Sequence, residues 1–494
     1  MICVSIGRTR HKMVVAEHQS LAQHGAELVE LRLDWLSRIP DLGRLLAEKP
    51  TPVVITCRRR SDKGRWRGTE EQRQTTLRSA IVSGAEYIDL EDDIATAIPR
   101  YGSTQRIISH HNFDETPEDL EDIHDRMCKL DPDIIKLVTM ANRPEDGLRL
   151  LKLVEASEIP TIGFCMGELG VPSRLLCVKY GSPFTYGTFS SERSLAPGQL
   201  SFTEMRDVYG FDRIGSETRI FGVIGDPVAH SLSPLIHNAA FSADGVNALY
   251  IPLRVPSHAL DETLQAYEWL EIDGYSVTIP HKQAILDHAR HRDDSVRQLG
   301  AANTLSRSPD GRWQATNTDL PAAMEALRIG LDNAEAGKTL KGRKCVVLGA
   351  GGAARAVAGG LVDAGAVVTI SGRTRRRATE LSDELGCQEI GWENRGTPFA
   401  DILVNCTPVG MHPDVNESPF QPQWLNEGTL VFDTVYNPEN TLLLKQAVER
   451  GCPTVSGIEM FIRQAALQYE HFTGRPAPLD VMRQSLRKGI SPVR

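Results

Sequence analysis

The chain has 494 residues, of which 41% are hydrophobic, and its formal net charge is -9. At about 150 residues per domain, this length suggests about three compact units. The acidic balance argues against a nucleic-acid or anionic-membrane partner, since phosphate binding needs clustered positive charge.

In chain order, eight short β-rich runs occupy the first two hundred residues: ICVSI, LVELRLD, VVITCR, YIDLE, RIISHH, DIIKLVT, TIGFCM and FTYGTF. The segments between them, among them SLAQHGAE, QRQTTLRSAIVSGAE, PEDGLRLLKLVEAS and SRLLCVKYGS, carry apolar residues at helical spacing and in several cases end at glycine. Eight βα units predict a closed parallel (β/α)8 barrel, compact at ~210 residues. A barrel keeps its chemistry at the C-terminal ends of its strands, and Glu30, Arg32, Arg58, His111 and Lys136 fall there or within the apolar runs. After Tyr209 the polar stretch GFDRIGSETR predicts a boundary near residue 215. Beyond it RIFGVIGD, ALYIPLRV and YSVTI alternate with helices as one unit, and CVVLG, VVTISG, ILVNCT and TLVFDT form another.

The nine cysteines show no CxxC pair and no zinc-type spacing, and their number is odd, so they read as small buried hydrophobes in a reducing compartment. The N-terminus, MICVSIGRTR, enters a strand at once without a charged leader, and no run approaches ~18 apolar residues. A cytoplasmic protein with no metal site is expected.

Lys136 stands in the middle of DIIKLVT. A strand lysine is often an edge residue reaching for water. Held inside a dry barrel, it would instead titrate low and be partly neutral, as a carbonyl-attacking nucleophile must be. Attack gives an imine, whose protonated form acidifies the neighbouring carbon and calls for a base. SHHNF supplies two histidines, and adjacent strand residues face opposite ways, so only one of His110 and His111 points inward.

ELRLD, the TCR strand end, SHHNF, DIIK, CMGELGVPSR and the APGQ turn, in this order and spacing, resemble type I 3-dehydroquinate dehydratase across nearly all of residues 1 to 212. The resemblance implies that Lys136 forms the Schiff base and His111 is the general acid/base. It further implies that Glu30, Arg32 and Arg58 grip ring hydroxyls, that Arg174 clamps the carboxylate, that Gln199 belongs to a closing loop, and that Met166 and Tyr186 line the pocket. A guanidinium suits the clamp because its fork matches a carboxylate. Three residues depart from the family: Leu195 replaces the serine of SAPGQ, Phe164 a methionine and Asp62 a glutamate that supports the histidine; Ser194 is the substitute for the missing serine.

In VVLGAGGAARA, Gly349, Gly351 and Ala354 form a G-x-G-x-x-A pattern after a strand and before a helix, with Ala350, Gly352 and Ala353 between and beside them. This is a dinucleotide signature, with the pyrophosphate over the helix N-terminus. The next strand ends ISGRTRRRA, with no acid for a ribose hydroxyl. Arginines there suit a 2'-phosphate, so NADP is expected, bound by Arg373, Thr374 and Arg377, while Arg375 and Arg376 read equally well as a solvated helix start.

GDPVAHSLSPLIHN, YSVTIPHK, GAANT, NTD, NCTPVGM, VYNP and GIEMFIRQAA, in order, closely resemble shikimate dehydrogenase over residues 218 to about 485. That resemblance implies substrate contacts from Ser231, Ser233, Thr278, Asn303, Tyr436 and Gln464, a Lys282/Asp319 pair handling the proton, and cofactor contacts from Thr407 and Gly457. Ser276 and Gly372 stand where asparagines are common.

Together the two resemblances imply an α/β chain in three parts. A dehydratase barrel spans residues 1–214. A shikimate-dehydrogenase substrate domain at 219–320, completed by a helix near 456–485, and a Rossmann NADP domain at 321–455 make up the remainder. The implied function is bifunctional: 3-dehydroquinate is dehydrated to 3-dehydroshikimate, which NADPH reduces to shikimate. The rival readings are a quinate/shikimate dehydrogenase using NAD in the second half, or one half serving as a non-catalytic scaffold. A homodimer is compatible with such barrels.

Overall fold

The computed structural model describes residues 1–490 except 194, 335, 336 and 338. Its contacts divide the chain into two compact units, one of Met1–Gly222 with Pro227–Pro234 and Val246–Ile272, the other of Val223–Asp226 with Leu235–Gly245 and Asp273–Arg494.

The first eight strands are β1 (Ile2–Ile6), β2 (Leu28–Arg32), β3 (Val53–Thr56), β4 (Tyr87–Glu91), β5 (Gln105–His111), β6 (Ile134–Met140), β7 (Thr161–Met166) and β8 (Thr185–Thr188). They coincide with the eight β-rich runs. Helices α1 (His11–Gln23), α2 (Leu42–Leu46), α3 (Glu70–Val82), α4 (Leu120–Cys128), α5 (Asp146–Ala156), α6 (Val171–Leu176) and α7 (Phe202–Asp207) alternate with them. Every ladder is parallel, which explains why the strands read as continuous apolar runs: one face meets helices and the other the barrel interior. Inside, Cys3, Leu28, Val54, Ile107, Ile134, Ile162 and Phe184 form an apolar floor.

The barrel departs from full closure. The strand order is β7-β6-β5-β4-β3-β2-β1-β8, so β7 and β8 are the two ends of the sheet. β8 has only four residues, and its Tyr186 carbonyl accepts a hydrogen bond from the Arg174 guanidinium of α6. A side chain thus takes a place in the seam that strand pairing would otherwise fill.

The next sheet contains β9 (Arg219–Gly225), β10 (Ala248–Arg254), β11 (Ile272–Val277), β12 (His291–Arg292), β13 (Thr304–Arg307) and β14 (Trp313–Thr316), in the order β10-β9-β11-β13-β14-β12. The sequence reading anticipated only the first three; β11, β13 and β14 pair antiparallel. The helices of this region are α8 (Ser233–Ala243), α9 (Leu260–Ala266), α10 (Asp294–Leu299) and α11 (Asp319–Asn333).

A third, parallel sheet runs β17-β16-β15-β18-β19-β20, from β15 (Lys344–Leu348), β16 (Val367–Ser371), β17 (Gln388–Glu389), β18 (Ile402–Asn405), β19 (Leu430–Asp433) and β20 (Thr454–Val455). Its helices are α12 (Gly352–Asp363), α13 (Arg375–Leu385) and α14 (Leu442–Glu449), followed by α15 (Gly457–Thr473) and α16 (Leu479–Ile490). Two apolar clusters cover its opposite faces, one around Val347, Val357 and Phe432, the other around Leu348, Leu403 and Leu443. Among the described residues no helix is long and apolar enough to cross a membrane, and all nine cysteines are free thiols.

Candidate active sites

Because alternate strand residues share a face, the barrel's inward positions bring Glu30 of β2, Asp89 and Glu91 of β4, Ser109 and His111 of β5 and Lys136 of β6 together. Ser109 and Lys136 are register partners. Lys136 is 4% exposed, with Nζ 3.0 Å from Asp89 Oδ2, 3.8 Å from Glu30 Oε1 and 3.8 Å from the Tyr186 ring centroid. This corrects the expectation of dry, uncharged surroundings: the burial is there, but the amine is ion-paired. A lone buried ammonium is costly and a carboxylate at hydrogen-bond distance offsets that cost.

Arg58, expected to grip substrate hydroxyls, makes three hydrogen bonds within the protein. Its Nη1 donates to Glu91 Oε1 at 2.8 Å and Ser109 Oγ at 3.2 Å, and its Nη2 donates to Asp89 Oδ1 at 2.8 Å. Arg73 of α3, fully buried, holds the other Glu91 oxygen at 2.8 Å, so the helix layer braces the cluster from behind. Burial pushes the Asp89 carboxyl upward, yet Arg58, then Lys136 and His111, outweigh it and hold the group well below the usual carboxylate range. Glu30 accepts from Ser5 Oγ at 2.6 Å and Thr56 Oγ1 at 2.7 Å, and Arg32 is bound in a fork to Asp34 at 2.9 Å.

The histidines part as strand geometry requires. His110 bonds Asp92 at 2.9 Å on the outer side, while His111 stacks on Phe113 with centroids 5.9 Å apart. Burial, then the charges of Arg58 and Lys136, pull the His111 pKa well below its ordinary value, so the ring is neutral and able to accept a proton at pH 7. Asp62 does not support it; its carboxylate is bonded to Arg59 at 2.5 Å.

Arg174 is 2% exposed, packs over the Phe164 ring at 4.2 Å and donates to the Tyr186 carbonyl at 3.0 Å. Its Nε has no hydrogen-bond partner among the described residues, and burial lowers its pKa to about 10. An unspent guanidinium donor is chemically suited to an anion's oxygen. Gln199 Oε1 accepts from the Leu195 backbone at 2.8 Å, bracing the loop after β8. Met166 lies at the end of β7 within the apolar cluster that includes Tyr186. Ser194 lies outside the described residues.

The second cluster sits in the other unit. Lys282 Nζ meets Asp319 Oδ2 at 2.5 Å, and Asn303 Nδ2 donates to Asp319 Oδ1 at 2.9 Å. Asp319 opens α11, where its carboxylate also favours the positive helix end. Gln468, absent from the sequence reading, ties α15 to this cluster: Nε2 donates to the Asn303 carbonyl at 3.1 Å and Oε1 accepts from Ser276 Oγ at 2.8 Å. Gln464, one turn earlier, bonds its own helix at Phe461 O, on whose ring Tyr436 stacks at 4.2 Å. Thr278 follows β11, its N–H donating to Ile224 O at 2.9 Å. In the other unit, Ser231 Oγ accepts from the Ser233 N–H at the start of α8.

The glycine turn fits a dinucleotide. Gly349 has φ 118, and a Cβ there would stand 2.9 Å from the Cys406 carbonyl. Ala350 lies beside Gly372 at the end of β16, Gly351 precedes α12, and Gly352 with Ala353 opens that helix, so its free N–H groups face the turn. A Cβ on Gly352 would lie 3.3 Å from Lys282 Cδ, which sets the turn beside the Lys282–Asp319 ion pair. After β16, Arg375 and Arg376 face Glu389 and Glu380 at 3.6 and 3.7 Å, whereas Arg373 and Arg377 have no ion-pair partner among the described residues. Thr374 caps α13 without a side-chain bond, Thr407 Oγ1 donates to Asn405 Oδ1 at 2.7 Å, and Gly457 approaches the Val435 carbonyl where a Cβ would clash at 2.4 Å.

Comparison with known proteins finds relatives for both halves of the chain. The family described as type I 3-dehydroquinase matches residues 2–216, the shikimate dehydrogenase substrate binding domain 223–305, the shikimate/quinate 5-dehydrogenase family 332–404 and the shikimate 5'-dehydrogenase C-terminal domain 457–487. The chloroplastic bifunctional 3-dehydroquinate dehydratase/shikimate dehydrogenase of Arabidopsis thaliana is 38% identical over 510 residues, covering 99% of this chain and 84% of that protein. The chain belongs to the bifunctional 3-dehydroquinate dehydratase/shikimate dehydrogenase family. An NADP(+) shikimate dehydrogenase of Shouchella clausii is 38% identical over 56% of this chain and 100% of its own length. A crystallised shikimate dehydrogenase in complex with NADP+ covers 56% of this chain and 97% of its own, at 33% identity and a TM-score of 0.51.

What the sequence reading lacked was Asp89, Glu91, Arg73, Ser109 and Gln468. YIDLE held a signal for the acids, since two carboxylates at i and i+2 in a strand point the same way. Arg73 lies on a helix that reads as amphipathic surface, and only the tertiary contact to Glu91 gives it a role.

Proposed function

We propose that the barrel dehydrates 3-dehydroquinate to 3-dehydroshikimate and that the second half reduces this ketone to shikimate with NADPH. The observation that carries the barrel reading is a buried lysine, Lys136, over the ring of Tyr186, whose carbonyl is held by Arg174, a buried guanidinium with its Nε unspent.

In the barrel, Arg174 Nε takes the substrate carboxylate and Glu30 and Arg32 take ring hydroxyls. Arg58 acts by holding Asp89 and Glu91. The Lys136 amine attacks once one of its protons has moved to His111, the neutral imidazole of the cluster. The neutral amine bonds to the ketone carbon, water leaves, and the protonated imine acidifies the adjacent carbon. His111 then takes that proton and returns it to the departing hydroxyl.

In the second half, NADPH supplies a hydride when bound. Gly349 to Ala353 receive its pyrophosphate, with Thr407 and Gly457 beside it, and Arg373, Thr374 and Arg377 its 2'-phosphate. Lys282 donates a proton to the reduced oxygen, Asp319 holds Lys282, and Asn303 fixes Asp319. Thr278, Tyr436 and Gln464 hold substrate oxygens. A cytoplasmic location and a homodimer belong to the same proposal. The free thiols support a reducing compartment. Cell fractionation and sedimentation test these two points.

Incubating the chain with 3-dehydroquinate and NADPH should consume both and yield shikimate. A preference for quinate with NAD, or no dehydration at all, would overturn the respective half.

Three site predictions follow from this geometry. Dehydratase kcat/KM should stay flat from pH 8 down to 6.5, because a lowered His111 pKa keeps the ring basic there, and should fall only at lower pH; a titration near 6.5 would contradict the assignment. Arg174→Lys should lower dehydratase kcat/KM by roughly 10- to 100-fold, mostly through KM, since an ammonium cannot form the fork. The double change Arg373→Ala with Arg377→Ala should raise the KM for NADPH by about tenfold or more and leave NADH unaffected, whereas Arg375→Ala should do little.

A further inference from the structure

The barrel leaves two buried polar atoms unspent in one place, Nε of Arg174 and the phenol oxygen of Tyr186; neither has a hydrogen-bond partner among the described residues. A substrate carboxylate accounts for the first. The second is unexplained, because a phenylalanine would fill the same space without burying a hydroxyl, and an unpaired buried hydroxyl costs free energy.

Tyr186 is 4% exposed, its ring lies beneath Lys136 with Nζ 3.8 Å from the centroid, and its carbonyl is held by Arg174. Besides the Cys3 thiol, the groups that act on the phenol are Glu30, Asp89 and Arg58, the same groups that surround Lys136. The phenol oxygen stands one ring radius and one C–O bond from the centroid over which Nζ sits. An oxygen on a carbon bonded to Nζ reaches hydrogen-bond distance of it when that bond points toward the phenol edge of the ring.

We propose that the Tyr186 hydroxyl donates a hydrogen bond to the substrate oxygen on the carbon that Lys136 attacks, first as the ketone oxygen and then as the carbinolamine hydroxyl that leaves as water. This role rests on the imine reading of Lys136. The balance is as follows: Nζ, having passed one proton to His111, forms the C–N bond while the carbonyl π pair moves to oxygen. A second proton shifts from nitrogen to that oxygen, and His111 returns the first as the C–O bond breaks. Water and a protonated imine remain. Tyr186 loses no proton; it polarises the carbonyl and holds the leaving oxygen, and burial keeps the phenol protonated.

The test is Tyr186→Phe in the full chain, with 3-dehydroquinate and borohydride trapping followed in time. The trapped adduct should form about 10- to 100-fold more slowly. The isotope effect from deuterium on the carbon that His111 deprotonates should shrink, because imine formation becomes limiting. The melting temperature and the dehydrogenase rate should not fall, since the removed oxygen has no hydrogen-bond partner among the described residues. An unchanged trapping rate would overturn the proposal, as would a lower melting temperature with the isotope effect intact, the signature of a structural hydroxyl. A wild-type chain that turns over without any trapped adduct would remove the imine reading itself, and this role with it.

Discussion

Lys136→Ala abolishes dehydration, lowering kcat by roughly 10⁴-fold or more, as loss of a covalent nucleophile does, while the same chain still reduces 3-dehydroshikimate. The structure supplies the reason and the control. Lys136 neutralises Asp89 at 3.0 Å, so the alanine variant leaves a buried carboxylate with Arg58 as its nearest cation and loses stability as well as chemistry. Lys136→Arg keeps a positive charge there but cannot form an imine. Both variants should be inactive as dehydratases, with only the alanine one melting at a clearly lower temperature. Recovery of dehydration in the arginine variant would mean that the charge matters and the covalent bond does not.

Lys282→Ala gives the converse result. Dehydrogenation falls by about 10²- to 10⁴-fold, the range of a lost general acid, and dehydration continues. Asp319→Asn should act in the same direction, because it removes the acceptor 2.5 Å from Nζ while preserving a bond to Asn303. Steady-state assays of each half-reaction on purified variants check both, and loss of both activities from either single change would contradict independent sites.

The ease with which the strands could be read follows from their surroundings. Each of the first eight is largely buried on both faces, so ICVSI or TIGFCM is mostly apolar sequence without polar alternation. The antiparallel pair β13 and β14 escaped because TLSR and WQAT are short and half polar; the turn between them, with Asp310 and Gly311 at φ 77, was the cue. The seam between β7 and β8 could not be foreseen, since it depends on Arg174 reaching a strand carbonyl from a helix.

At the sites, single residues with unusual placement were legible, and their partners were not. Lys136 announces itself as a charge in an apolar run, and the arginines after β16 as a missing acid. Ion-pairing is a property of three-dimensional proximity: Asp89 lies 47 positions before Lys136, and Gln468 lies 165 after Asn303. That is why the lysine's surroundings were expected to be dry and proved to be ionic. Arg58 shows the same limit, since a guanidinium at a strand end reads equally as a ligand for substrate or for two neighbouring acids.

The most direct test is to mix the protein with 3-dehydroquinate, add borohydride, and map the mass increase by peptide sequencing. A single reduced adduct on the peptide containing Lys136, with turnover lost in proportion to labelling, is the expected result. Labelling at another lysine, or continued turnover with Lys136 unmodified, would contradict covalent catalysis in the barrel.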